Sequence, residues 1–226
     1  MPESQETSAQ ASALIAVLDA LEKLAPELDT PGLELVAAQH GDPYSVLAGT
    51  LLSLRTKDTT TAQVVPRLFA LAETPQSMLA LSPEQLERAI YPVGFYRNKA
   101  KTILQVCQTL LDDFAGQVPA DLDELLSLPG VGRKTANLVL TAGFGLPGIC
   151  VDIHVHRISN RWGYVTSKTP DQTELALRQQ LPPAYWLAYN KLLVTLGQTI
   201  CHPTSPWCSR CPLSELCPAV GVTRRR

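Results

Sequence analysis

Three features of the chain predict an all-α protein. Cap-and-proline pairs recur at Thr30-Pro31, Asp42-Pro43, Thr74-Pro75, Ser82-Pro83 and Thr169-Pro170, each placing a side-chain acceptor ahead of the residue best suited to the first helical position. Ala13, Leu14, Val17, Leu18, Leu21 and Leu24 repeat at three and four residues, the spacing of one buried helix face. Sustained period-two alternation, an Asn-Gly hairpin signal and internal repeats are all missing from the sequence.

In chain order, the amphipathic segment around Ala13 to Leu24 comes first. A helix then begins near Asp58, which Pro66 is expected to kink or end. Ser82 with Gln85 fits a capping box. Cys107 falls in an apolar helical pattern and reads as a packed thiol, as does Cys150 in a loop. Leu128-Pro129-Gly130-Val131-Gly132-Arg133-Lys134-Thr135-Ala136 joins a glycine-bracketed turn to a helix expected over Lys134 to Phe144. Gly143 to Gly148 breaks the chain and reads as a crossover between domains. Helices follow near Val151 to Trp162, Pro170 to Leu181 and Tyr185 to Ile200.

The glycine turn carries the chemistry. Leu125, Leu126 and Leu128 before it and Leu138, Val139 and Leu140 after it can clamp two helices into a hairpin. The N–H groups of Gly130, Val131, Gly132 and Arg133 would then suit a phosphate, helped by the positive end of the following helix. This is a helix-hairpin-helix pattern, suited to sequence-independent DNA backbone binding. An ordinary corner with solvated Arg133 and Lys134 is the plainer alternative.

The 226 residues, 45% of them hydrophobic, suffice for one large domain or two small ones. No apolar run approaches the roughly 20 residues that span a bilayer, and Met1 to Gln10 lacks the regions of a signal peptide, so a soluble cytoplasmic protein is expected. The net charge of -2 conceals an asymmetry. Residues 1–50 carry eight carboxylates and only Lys23, which leaves 18 basic against 13 acidic groups in 51–226. A local basic face is enough for phosphate contacts, although a modest DNA footprint follows. Arg224, Arg225 and Arg226 read as a frayed, solvated tail.

Cys201, Cys208, Cys211 and Cys217, separated by six, two and five residues, lie in a proline-rich loop too poor in apolar residues to form its own core. Thiolates there can bind zinc or an iron–sulfur cluster. Structural zinc usually takes two Cys-x-x-Cys knuckles, and only Cys208 and Cys211 form one, which favours [4Fe–4S] and leaves zinc as the alternative. Arg210, between two of these cysteines, can touch a phosphate or stay solvated. His154 and His156, two residues apart, cannot face one ion from a helix.

The hairpin with its lysine, the segment Val151-Asp152-Ile153-His154-Val155-His156-Arg157 and the cysteine loop occur in that order. From about Leu33 to Cys217 the chain resembles the endonuclease III family of helix-hairpin-helix DNA glycosylases. The resemblance implies two domains: a six-helix barrel over 36–146 with the hairpin at about 121–144, and a second helical domain of 1–35 with 147–226. The second would carry a [4Fe–4S] cluster on the 201–217 loop, and DNA would bind between the domains.

The resemblance also makes Lys134 the nucleophile and Asp152 its acidic partner in a bifunctional glycosylase and abasic-site lyase of base excision repair. Its substrate would be double-stranded DNA with oxidised pyrimidines or abasic sites. A nucleoid-associated cytoplasmic monomer is expected. An amine attacking C1′ displaces the base and leaves an imine that acidifies the C2′ proton, so one lysine serves base removal and β-elimination. Asp152 would stabilise the sugar cation and help move protons; a helix cap is its structural alternative. His154 follows the family pattern and would orient the aspartate region. Extruding a nucleotide leaves a gap to fill. Phe95 falls at the family's apolar intercalating position, and Arg55 falls where a gap-filling glutamine is common. A mismatch glycosylase of the same superfamily and a non-catalytic iron–sulfur DNA-binding module are the competing readings.

Overall fold

The computed structural model describes residues 42–226 together with Asp19, and among these it contains helices and no strand. The described residues divide between Gly148 and Ile149 into two compact units, each with a core. Apart from Asp19, the helix expected around Ala13 to Leu24, the Thr30-Pro31 cap and the 1–35 portion of the expected second domain lie outside the described residues.

The first unit opens with α1 (Pro43–Ser53), α2 (Asp58–Phe69), α3 (Pro75–Leu79) and α4 (Pro83–Ile90). Three of these start as the cap-and-proline signals imply. Asp42 accepts from the Ser45 N–H at 3.0 Å, and Thr74 with Ser77 and Ser82 with Gln85 form reciprocal capping boxes. Each cap satisfies N–H groups that have no partner within the helix and contributes about 1 kcal/mol. Pro66 does not end α2, which continues to Phe69 with the proline in its last turns.

Behind them runs the long α5 (Tyr96–Asp113), whose inward stripe of Ala100, Ile103, Val106, Cys107 and Leu110 packs on α1, α3 and α4. Cys107 is a packed thiol. It meets the Tyr44 hydroxyl at 3.1 Å, and burial pushes it up to about 11. The hairpin closes the unit, with α6 (Leu122–Ser127) before the turn and α7 (Arg133–Leu138) after it.

The helix expected over Lys134 to Phe144 is not continuous. At Val139–Gly143 it widens into a π-helical turn. Two side chains compete for the helix carbonyls there: Asn137 donates to the Arg133 carbonyl at 2.9 Å, and Thr141 donates to those of Asn137 and Leu138.

The second unit contains α8 (Ile153–Arg161), α9 (Pro170–Gln180), a 3-10 turn at Pro183–Tyr185 and α10 (Trp186–Thr199), followed by the cysteine loop with a short 3-10 turn at Cys208–Arg210. Thr169 caps α9 by accepting from the Gln172 N–H. Tyr189 sits fully buried in this core, its hydroxyl on Ser159 at 2.9 Å. No described helix is long and apolar enough to cross a membrane.

Candidate active site

The hairpin turn is built by burial on one side and openness on the other. Leu125, Leu128, Val131, Ala136, Val139 and Leu140 are buried and hold α6 against α7; Leu126 and Leu138 are half-buried. Gly130 has φ +74, a left-handed conformation, and a Cβ on it would lie 2.8 Å from Thr102 Cγ2, so both backbone and packing require glycine there. Gly132 differs: a Cβ on it would meet nothing within 4 Å. It precedes the first turn of α7, where no side chain caps the backbone. Lys134 is exposed in that turn and Arg133 is half-buried beside it.

Asp152 is the N-cap of α8, its Oδ1 accepting from the N–H groups of His154 at 2.8 Å and Val155 at 2.9 Å. The carboxylate is therefore fixed by its helix and half-buried, with Oδ2 not engaged by those two bonds. The His154 ring turns to Arg157 at 3.0 Å, and that guanidinium donates to the Cys201 and Gly197 carbonyls at the end of α10. His156 instead meets Thr173, a separate partner from that of His154.

One turn further on, Arg161 donates to Cys201 Sγ at 3.2 Å and to the carbonyls of His202 and Pro203. All four cysteines of the loop line one cavity with Arg161, Trp162 and Trp207. Burial pushes the Cys211 thiol up to about 11, and the other three thiols add to the shift; Cys217 moves in the same direction for the same main reason. Four thiols lining one cavity are a donor set that fits a thiophilic metal group. No three described His, Cys, Asp or Glu side chains are grouped tightly enough to hold one metal ion.

Arg55 and Phe95, far apart in sequence, are brought together within the first unit. Gly94 is so close to Arg55 that a Cβ there would lie 2.7 Å from the Arg55 carbonyl oxygen. Phe95 is 63% exposed and is not a core residue. Both adopt left-handed backbone conformations, with φ 53 at Arg55 and 57 at Phe95. Leu54 and Tyr91 are exposed apolar residues on the same two turns.

Sequence reasoning missed Lys99, Arg157, Arg161 and Arg226. The tail is not frayed at its end. Arg226 donates its N–H to the Pro206 carbonyl at 2.8 Å, accepts from Ser209 at 2.9 Å and lays its guanidinium 3.9 Å from the centre of the Trp207 ring. Arg210 lies over the same ring, 5.4 Å from its centre.

Residues 48–183 match the HhH-GPD superfamily of base excision DNA repair proteins. The chain is 46% identical over 176 residues to endonuclease III of Thermotoga maritima, covering 78% of this chain and 83% of that protein. The chain belongs to the endonuclease III family. As a member it is a base excision DNA repair enzyme, a DNA glycosylase and abasic-site lyase. Another family member, endonuclease III of Bacillus subtilis, is 38% identical over 79% of this chain and 82% of its own length. A solved family structure, a trapped covalent intermediate of endonuclease III with DNA, superposes with a TM-score of 0.80 at 36% identity, covering 92% of this chain and 95% of that one.

Proposed function

We propose that the enzyme removes oxidised pyrimidines from double-stranded DNA through Lys134 and then cleaves the strand at the resulting abasic site. The observation that carries this is an amine exposed on the first turn of α7, two residues after the open Gly132. The trapped covalent intermediate reported for a family member supports a nucleophile of this kind. Backbone N–H groups of Gly130, Gly132 and Arg133 would hold the phosphates that flank the lesion, while the Val131 N–H donates to the Leu128 carbonyl at 3.2 Å.

The Lys134 amine attacks C1′, the base leaves with the C1′–N bond electrons, and loss of the C1′–O4′ bond gives an imine. Deprotonation at C2′ then expels the 3′ phosphate by β-elimination. Asp152, held by its cap bonds, stabilises the positive sugar and relays protons. Arg55 and Phe95 would fill the gap left by the extruded nucleotide.

Cys201, Cys208, Cys211 and Cys217 would hold a [4Fe–4S] cluster. Its iron–thiolate bonds would fix the loop, and no step of the reaction is routed through it. The supporting observation is the one cavity that all four cysteines line. A cytoplasmic monomer working on the nucleoid completes the reading.

The test is a panel of duplexes bearing single oxidised pyrimidines, incubated with borohydride. Covalent trapping on these and on abasic DNA is expected. Excision of an undamaged mismatched base without trapping would favour the mismatch glycosylase, and binding with neither would favour the non-catalytic module.

A further inference from the structure

Lys99 is a cation in an apolar setting. It is 9% exposed and shares the inward face of α5 with Ile103, Val106 and Leu110. Its ammonium donates to the Leu52 carbonyl at 2.7 Å, the Leu54 carbonyl at 2.5 Å and the Thr56 hydroxyl at 2.8 Å. Those three bonds use every donor an ammonium has, and all three acceptors lie on one turn. A methionine would fill the same stripe with no charge to desolvate. The lysine therefore does something that packing alone does not require.

Leu52 and Leu54 end α1, where free carbonyls carry partial negative charge that a cation offsets. Arg55 stands between these carbonyls and Thr56, in its left-handed conformation. The Thr56 hydroxyl also accepts the Gly94 N–H at 3.2 Å, and Gly94 leads directly into left-handed Phe95. A continuous path of hydrogen bonds thus runs from the ammonium through Thr56 to the second turn. Left-handed backbone at a non-glycine residue is costly and persists where its surroundings over-determine it. Here those surroundings converge on Lys99.

We propose that Lys99 is a positioning residue for lesion recognition, its ammonium locking the Leu52–Thr56 turn against the Gly94–Phe95 turn so that Arg55 and Phe95 enter the duplex as one preformed pair. The proposal rests on the reading of Arg55 and Phe95 as the residues that fill the gap. Preorganising the pair spares the ordering of two loops on binding, so its loss should appear in substrate binding rather than in the chemical step.

The experiment is a double-mutant cycle between Lys99→Met and Phe95→Ala, with Arg55→Gln alongside, read as KM and kcat per folded molecule on one lesion duplex. Phe95→Ala, which removes a stacking ring, should raise KM by about ten- to a hundredfold. Lys99→Met is expected to raise KM by about tenfold with kcat held within about twofold, and to add little once Phe95 is gone. Fully multiplicative effects of the two substitutions would overturn the proposal, as would a fall in kcat with KM unchanged. Normal KM in both Phe95→Ala and Arg55→Gln would instead show that the gap-filling reading itself had failed, and the proposal with it. If Lys99→Met does not fold by circular dichroism, Thr56→Val, which removes the hydroxyl joining the ammonium to Gly94, must reproduce the rise in KM. A normal KM in that variant would then overturn the proposal.

Discussion

At the scale of single residues, substitutions can separate chemistry from architecture. Lys134 is exposed on α7, so Lys134→Ala should leave the fold intact and abolish borohydride trapping on abasic DNA; undiminished trapping would move the nucleophile elsewhere. Asp152 holds two structural bonds as well as its proposed charge. Asparagine caps about as well as aspartate, whereas alanine forfeits about 1 kcal/mol. Asp152→Asn should therefore keep the melting temperature and lose excision by orders of magnitude, while Asp152→Ala loses both. Near-normal turnover in the asparagine variant would leave the residue a cap alone.

Lys99 adds a stability signature. Burial lowers it to about 8 from an ordinary value near 10.5, and no charged neighbour contributes to the shift. Between these values the unfolded chain binds the proton that the folded chain has released. Stability therefore rises with pH across that window, and the cost of the buried charge is fully present below it. Denaturant titrations from about pH 7 to 11 should show wild type gaining on Lys99→Met through the window. A constant difference would mean that burial does not perturb the ammonium.

At the scale of elements, the four cap-and-proline starts among the described residues were legible because capping is a local contest that neighbouring residues decide. The π-helical turn was not, because it depends on Asn137 and Thr141 each finding a helix carbonyl, which an apolar periodicity does not encode. Lys99 left one faint trace, a lysine in register with Ile103, Val106 and Leu110, but its three acceptors lie more than forty residues away. The candidate site was legible in its residue types, since a hairpin lysine and a four-cysteine loop are set by the sequence itself. The supports of that loop are set by tertiary contact.

Helix α8 shows this. It carries Asp152 at its start and Arg161 at its end, about 13 Å apart at 1.5 Å per residue. Arg161 bonds the first cysteine and the two carbonyls after it. Arg161→Met should therefore speed loss of iron from the proposed cluster to a chelator while borohydride trapping survives; unchanged release would reduce Arg161 to a surface contact.

At the scale of the whole molecule, each unit closes its own core, and the two should depend differently on the proposed cluster. The core of 42–148 draws on buried residues from α1 to the π-helical turn. In the 201–217 loop, by contrast, Leu213 is the buried apolar residue that joins a core, and the rest is held by Arg161, by Arg226 on Trp207 and by whatever bridges the thiols. A loop that cannot fold on apolar burial takes its stability from its ligands, so binding of the proposed cluster there would be folding free energy. The chain after Cys217 should share that fate, since Val220 bonds the Arg161 carbonyl and Arg226 the Pro206 carbonyl. Oxidative removal of iron should then strip amide-exchange protection from residues 200–226 and the last turn of α8, while α1 and α5 stay protected at their holoprotein rates. Equal loss in both units would mean that they unfold as one. Full retention in the loop would mean that Arg161 and Arg226 hold it without the cluster.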